Sequence, residues 1–351
     1  MKQTHKLLAF VFASAALFSS CSTDNDDDIP DVPKGDYEDG YFVLNEGQFG
    51  NVGTSGISFI GENELNESDA YATVNPTAPE IGDALQSMFF DDYNAYIIAG
   101  SSNQITVVDR YTLEYVATIS TNLTAPRYGA IANGNAYVTN SNGWDDGTDD
   151  FVTVINLSDY STSTFPMKNA ERVIEEDGML YFANGYYGNG NAVTILNPNT
   201  SETTVVDLGA GNSPNSLVEE DDVLYVLTNS YTDGASVFKI STSSKEITET
   251  IPLDLSSPKQ LNIEDDILYF TDATSVYQLG ITGTTPSKIL EYTSTSEYGA
   301  MYGFAVEDDT IYIADAGDFA SAGTTYEYTL TGTPLISYTV GIAPNGFYFN
   351  D

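Results

Sequence analysis

The chain has 351 residues, of which 41% are hydrophobic, enough for a large core. Its 51 acids against 11 bases give a formal charge of −40, a field that repels nucleic acid and anionic membrane surfaces. A single Cys and a single His exclude structural disulfides, Cys/His zinc sites and histidine-dependent catalytic triads, while 25 Tyr, 29 Gly and abundant Thr, Ser and Val favour strands and turns.

In chain order, Lys2, His5 and Lys6 form a basic start and residues 7–18 an apolar run of 12, too short for a spanning helix. Small residues and Cys21 follow, as in a secretory signal with its cleavage region. The stretch Leu17-Phe18-Ser19-Ser20-Cys21 resembles a bacterial lipobox, with Phe18 where Leu is commoner. This resemblance implies a signal peptide over 1–20 and lipid attachment at Cys21, so that the processed chain would carry no His at all. Residues 21–39 read as an acidic flexible tether, with Asp24, Asp26, Asp27 and Asp28 followed by Pro30, Pro33 and Gly35. The acidic stretch resembles the export signal of Bacteroidetes-type surface lipoproteins, which implies display on the outer face of the outer membrane, with membrane contact through the lipid alone.

Residues 40–351 carry an internal repeat, an acidic turn followed by an apolar strand centred on Tyr. The anchors Tyr96, Tyr137, Tyr181, Tyr225, Tyr269 and Tyr312 are spaced 41, 44, 44, 44 and 43 residues apart. Each unit parses into four short strands rich in Thr, Val, Ile and Tyr, and no stretch shows a helical period. Four strands per repeat of this length predict propeller blades. The final stretch 344–351 matches the first strand and turn of a blade, and 40–45 supplies its second strand. Residues 57–60 and 69–73 complete the third and fourth. One blade shared by both termini, added to six continuous ones, predicts an all-β, seven-bladed propeller of four-stranded antiparallel blades with no free sheet edge.

The segment Ile105-Thr106-Val107-Val108-Asp109 with Val116-Ala117-Thr118-Ile119 resembles the repeat of YncE-type, surface-layer-like propellers. The opening Asn45-Glu46-Gly47 is similar to the start of Bacteroidetes surface lipoproteins of that group. Some members are vitamin B12-capture propellers seated on an outer-membrane, TonB-dependent transporter. The resemblance covers nearly all of the processed chain; it is specific for fold and location and weak for ligand, since the motif is scaffold.

In such blades the links between blades and the loops between second and third strands share one face, and the acidic turns lie on the other. The acids at 91–92, 175–177, 219–222, 264–266 and 307–309 read as solvated hairpin turns, one per blade, rather than a cation rim. The opposite face carries Phe49, Trp144, Tyr186, Tyr187, Tyr231 and Phe319 in loops beside Gly and Asn, where rings make good contact surfaces. The links add Arg127, Lys168, Arg172 and Lys259, either as ligand contacts or as partners for neighbouring carboxylates. The candidate ligand-binding set is therefore Phe49, Arg127, Trp144, Arg172, Tyr186, Tyr187, Tyr231, Lys259 and Phe319. Such a mouth suits a bulky ligand with amides and phosphate, a description a corrinoid fits. The loop 145–150 has oxygens for calcium without the spacing of a known calcium loop, and reads as solvated. No catalytic residue, metal site or cofactor is assigned, and no nucleotide fingerprint is present. The expected function is capture of a bulky nutrient and its transfer to a TonB-dependent transporter. An adhesion or assembly propeller binding protein or glycan is the alternative; a propeller lyase, hydrolase or lactonase is a third, disfavoured by the missing His and Cys.

Overall fold

A computed structural model describes residues 34–61, 66–143, 146–186, 188–229, 234–294, 296 and 298–350. They form seven four-stranded antiparallel sheets arranged as a propeller. Six sheets are continuous in sequence, over residues 85–119, 126–166, 170–207, 213–253, 259–291 and 303–342 (blades 1 to 6 below). The seventh pairs Pro344–Phe349 as its inner strand with Gly40–Asn45, followed by Gly56–Gly61 and Asn66–Glu67. The ring thus closes through both ends of the chain, in the register Tyr41↔Phe349 to Leu44↔Gly346.

The repeat has a backbone cause. Five hairpins between first and second strands have two central residues, both in the left-handed region: Asn133-Gly134, Asp177-Gly178, Asp221-Asp222, Asp265-Asp266 and Asp308-Asp309. Tight hairpins need positive φ at both positions, which Asn, Asp and Gly tolerate best. The acids therefore recur because the turn demands them. The anchor tyrosines follow on the second strands and are buried in five of the six copies, Tyr312 being only partly covered. Burial raises the Tyr181 phenol to about 12 and moves Tyr225 and Tyr269 the same way. In blade 1 the turn is longer, and Asp91 holds it by accepting from the amides of Tyr93 (2.8 Å) and Asn94 (2.7 Å) and from the Tyr96 hydroxyl (2.7 Å).

Seven apolar clusters hold the ring, each composed of residues from two neighbouring blades. Between the closing blade and blade 1, for example, Phe42, Leu44, Ile57 and Phe59 meet Leu85, Met88, Ala95 and Ile97. Hydrogen bonds around the inner strands add a belt: Ser87 Oγ donates to the Arg127 carbonyl (2.7 Å), Thr139 Oγ1 to Glu171 (2.7 Å), and Asn345 Nδ2 to Leu85 (2.7 Å).

Two expectations change. Residues 69–73 do not form the fourth strand of the closing blade: that strand is the two-residue Asn66–Glu67, and Ala70–Val74 is a short helix. Asp69 accepts from the Ala72 amide (3.1 Å) and caps a run with two alanines, so local capping and propensity outweigh strand pairing. Its five residues are too few to show a period. Residues 34–39, assigned to the tether, are also docked. Tyr37 is 4% exposed and packs edge-on to Phe59 at 5.0 Å, its amide donates to Tyr111, and its carbonyl accepts from Asn350 Nδ2.

Candidate functional site: the mouth of the central channel

The inner strands of all seven blades line one channel of about 570 Å³. These strands start at the blade links, so the first side chains of each define the mouth. Arg127 and Tyr128 come from blade 2, Arg172 from blade 3, Gln260 from blade 5, Asn345 from the closing blade, and Glu46 and Tyr302 from the adjoining loops; Tyr348, the fifth residue of the closing blade's inner strand, also lines the channel.

The two arginines differ. Arg127 is held by Glu171 through both ends of the carboxylate, Nη2 to Oε1 at 2.7 Å and Nε to Oε2 at 3.1 Å, and it donates a further bond to Gln86 Oε1. Gln86 Nε2 in turn donates to the Tyr128 hydroxyl (3.1 Å). For Arg127 the reading as a partner of a neighbouring carboxylate is thus the one the structure supports. Arg172 instead sits over the Tyr128 ring, its Cζ 4.2 Å from the centroid, and forms no ion pair among the described residues. Its charge favours the ionised form of the nearby Tyr348 phenol, yet burial of that phenol dominates and pushes it well above its usual range.

The opposite wall is acidic and desolvated. Burial raises the Glu46 carboxyl above the usual range, against the pull of the Tyr302 hydroxyl that donates to Oε2 and of the Arg127 charge. Gln260 fixes the neighbouring wall, with Nε2 donating to the Tyr302 carbonyl (3.0 Å) and Oε1 accepting from Thr271 (3.0 Å).

The other predicted site residues that are described take different places. Lys259 is not among the residues lining the channel; burial lowers its ammonium, and it forms no ion pair among the described residues. Phe319 packs edge-on against Tyr302 at 4.9 Å and lines a side depression with Tyr298, so it supports the channel wall from behind. Phe49 is 88% exposed on the loop after Asn45, in a depression that includes Glu46. Tyr186 is the last residue of the strand Met179–Tyr186 and pairs with Asn189, so it belongs to the strand rather than to the loop expected after it. Trp144, Tyr187 and Tyr231 lie outside the described residues, as does Cys21. In the loop 145–150, read as solvated, Asp150 is buried and its Oδ1 accepts from the Asn142 amide (3.0 Å). Among the described residues no group of three or more His, Cys, Asp or Glu is placed to hold a metal.

The candidate set omitted Glu46, Gln86, Tyr128, Glu171, Tyr302 and Tyr348. Tyr128 and Glu171 adjoin chosen link residues, but strict strand alternation would turn them away from Arg127 and Arg172; register shifts between Pro126 and Gly129 and between Ala170 and Val173 break that alternation. Glu46 and Tyr302 meet only through ring closure, and local sequence carries no sign of that pairing.

The model of the family described as a domain of unknown function (DUF5074) matches residues 39–314. The chain belongs to this family. No curated protein matches the DUF5074 chain in sequence. Among solved structures it is similar to a quinoprotein alcohol dehydrogenase-like protein of Bacteroides thetaiotaomicron (15% identity, 90% of this chain and 79% of that one, TM-score 0.64). It is also similar to hydrazine synthase of Kuenenia stuttgartiensis (14% identity, 77% and 91%, TM-score 0.61) and to BamB of Moraxella catarrhalis (14%, 88% and 85%, TM-score 0.51). At these identities the likeness shows the propeller fold alone, and the fold hosts enzymes as well as other proteins.

Proposed function

We propose that this DUF5074 propeller is a non-catalytic binding protein that takes a bulky ligand at the channel mouth. The observation that carries the reading is Arg172: in a chain of charge −40, a guanidinium held over the Tyr128 ring lines the channel and forms no ion pair among the described residues. Such a group is poised for a phosphate, carboxylate or amide carbonyl of a ligand. Glu46 and Glu171 are already committed to Tyr302 and Arg127, so neither serves as a general base without first breaking that contact. These engagements favour binding over an acid–base lyase or hydrolase.

In the finer reading, Cys21 carries the lipid anchor, the acidic segment after it displays the protein on the outer membrane, and a TonB-dependent transporter receives the ligand. A corrinoid, too large for a channel of about 570 Å³, would rest across the mouth against Arg172 and the exposed ring of Phe49. Calorimetric titration with cobalamins tests the ligand: binding that falls at least tenfold in Arg172→Ala supports this reading, and no binding removes the corrinoid. Incubation with lactone, ester and polyuronate substrates tests the enzymatic alternative. Turnover lost in Glu46→Gln would replace the binding reading.

A further inference from the structure

On the opposite face, a second pocket of about 340 Å³ opens between blade 6 and the closing blade. Its walls are the rings of Tyr41, Tyr312, Tyr338 and Phe349 and the carboxylates of Asp39, Asp308 and Glu327; among the described residues no Lys, Arg or His lines it. Tyr41 and Tyr312 meet edge-to-face at 5.0 Å, and Tyr312 and Phe349 at 5.1 Å, so the rings brace one another. Glu327 stands beside them. It accepts from the Tyr41 hydroxyl (2.6 Å), faces Tyr312 across the strand pair, and forms no ion pair among the described residues.

We propose that this pocket binds an organic cation bearing an alkylated ammonium group. Ring faces attract a diffuse positive charge, and a half-buried carboxylate without a basic partner supplies the counter-charge. An inorganic cation is the poorer fit. Its ligands must be converging oxygens, yet no group of three or more acids among the described residues is placed to hold a metal, and much of this wall is aromatic. The same chemistry is offered by a free quaternary amine or by a lysine side chain of a partner protein.

Titration followed by NMR, with tetramethylammonium, choline and the neutral isostere 3,3-dimethylbutan-1-ol on the intact chain, decides it. Choline is expected to bind about tenfold more tightly than the isostere. Glu327→Gln, which keeps an acceptor for Tyr41, should remove most of that preference with the melting temperature held. Tyr338→Leu, on the outer strand, should weaken choline several-fold. A lysine- or trimethyllysine-bearing peptide that binds more tightly than choline identifies a partner side chain as the source; the reverse order identifies a small amine. Equal binding of choline and its isostere, no binding of either, or unchanged choline affinity in both variants overturns the proposal.

Discussion

The two faces of the ring follow opposite rules. On the hairpin face, blade after blade repeats one solution, two left-handed residues, usually acidic, ahead of a buried tyrosine strand. On the channel mouth each blade contributes something different: Arg127 and Tyr128, then Arg172, then Gln260, then Asn345. Repetition here marks backbone requirements, whereas departure from the repeat marks the place where side chains are released for other work. That contrast explains why a conspicuous charge pattern carries scaffold information, while the residues lining the channel mouth differ from blade to blade.

The contrast is open to direct attack. The largest effect is expected where both faces depend on closure. Deleting residues 344–351 removes the inner strand of the closing blade and should abolish cooperative thermal unfolding followed by circular dichroism, because a stability of about 5–15 kcal/mol does not survive exposure of two interfaces. A retained sharp transition would mean that six blades stand alone.

Next comes the difference between the arginines. Glu171→Ala strands Arg127 beside the channel and should cost about 3 kcal/mol in urea denaturation. Arg172→Ala should cost less than about 1 kcal/mol, since it removes only a cation–ring contact. Equal losses would make Arg172 a structural residue. A smaller effect tests the hairpins. Asp222→Gly should be neutral or slightly stabilising, and Asp222→Val should cost about 1–2 kcal/mol because a branched residue resists positive φ.

The smallest effect concerns Glu46. Its carboxyl is raised in the folded state, so the neutral form is the one the fold prefers. Its contribution to stability is therefore present at pH values below the ordinary carboxylate range and is lost as pH rises through the raised value. Glu46→Gln should be more stable than the parent chain at neutral pH, with the advantage shrinking as the solution is acidified. Melting curves across that range read the difference directly.

Fold and site were legible to unequal degrees in the sequence. The period between Tyr96 and Tyr312, and the match of 344–349 to a missing strand beside 40–45, were sufficient to derive seven blades and their closure, because burial and turn geometry write themselves into every copy. The helix at Ala70–Val74 was missed because capping by Asp69 acts over three residues, shorter than any period. At the mouth, link position puts Arg127 and Arg172 on the channel wall, and Phe319 packs behind Tyr302. Which arginine is neutralised depends on Glu171 and Gln86, contributed by the blades on either side, and such pairings between blades are set by the curvature of the ring.

The seam near Glu46 has a mechanical consequence. Glu46 meets Tyr302 there and Asn345 reaches back to Leu85, while at the other end of the same strand pair Asn350 bonds to Arg110 across 240 residues of chain. Contacts so distant in sequence form late and slowly, after the local hairpins. A ligand bound as proposed would touch strands from both sides of this junction and act as a rivet across it. The guest would then prolong the lifetime of the closed wheel as well as being held by it.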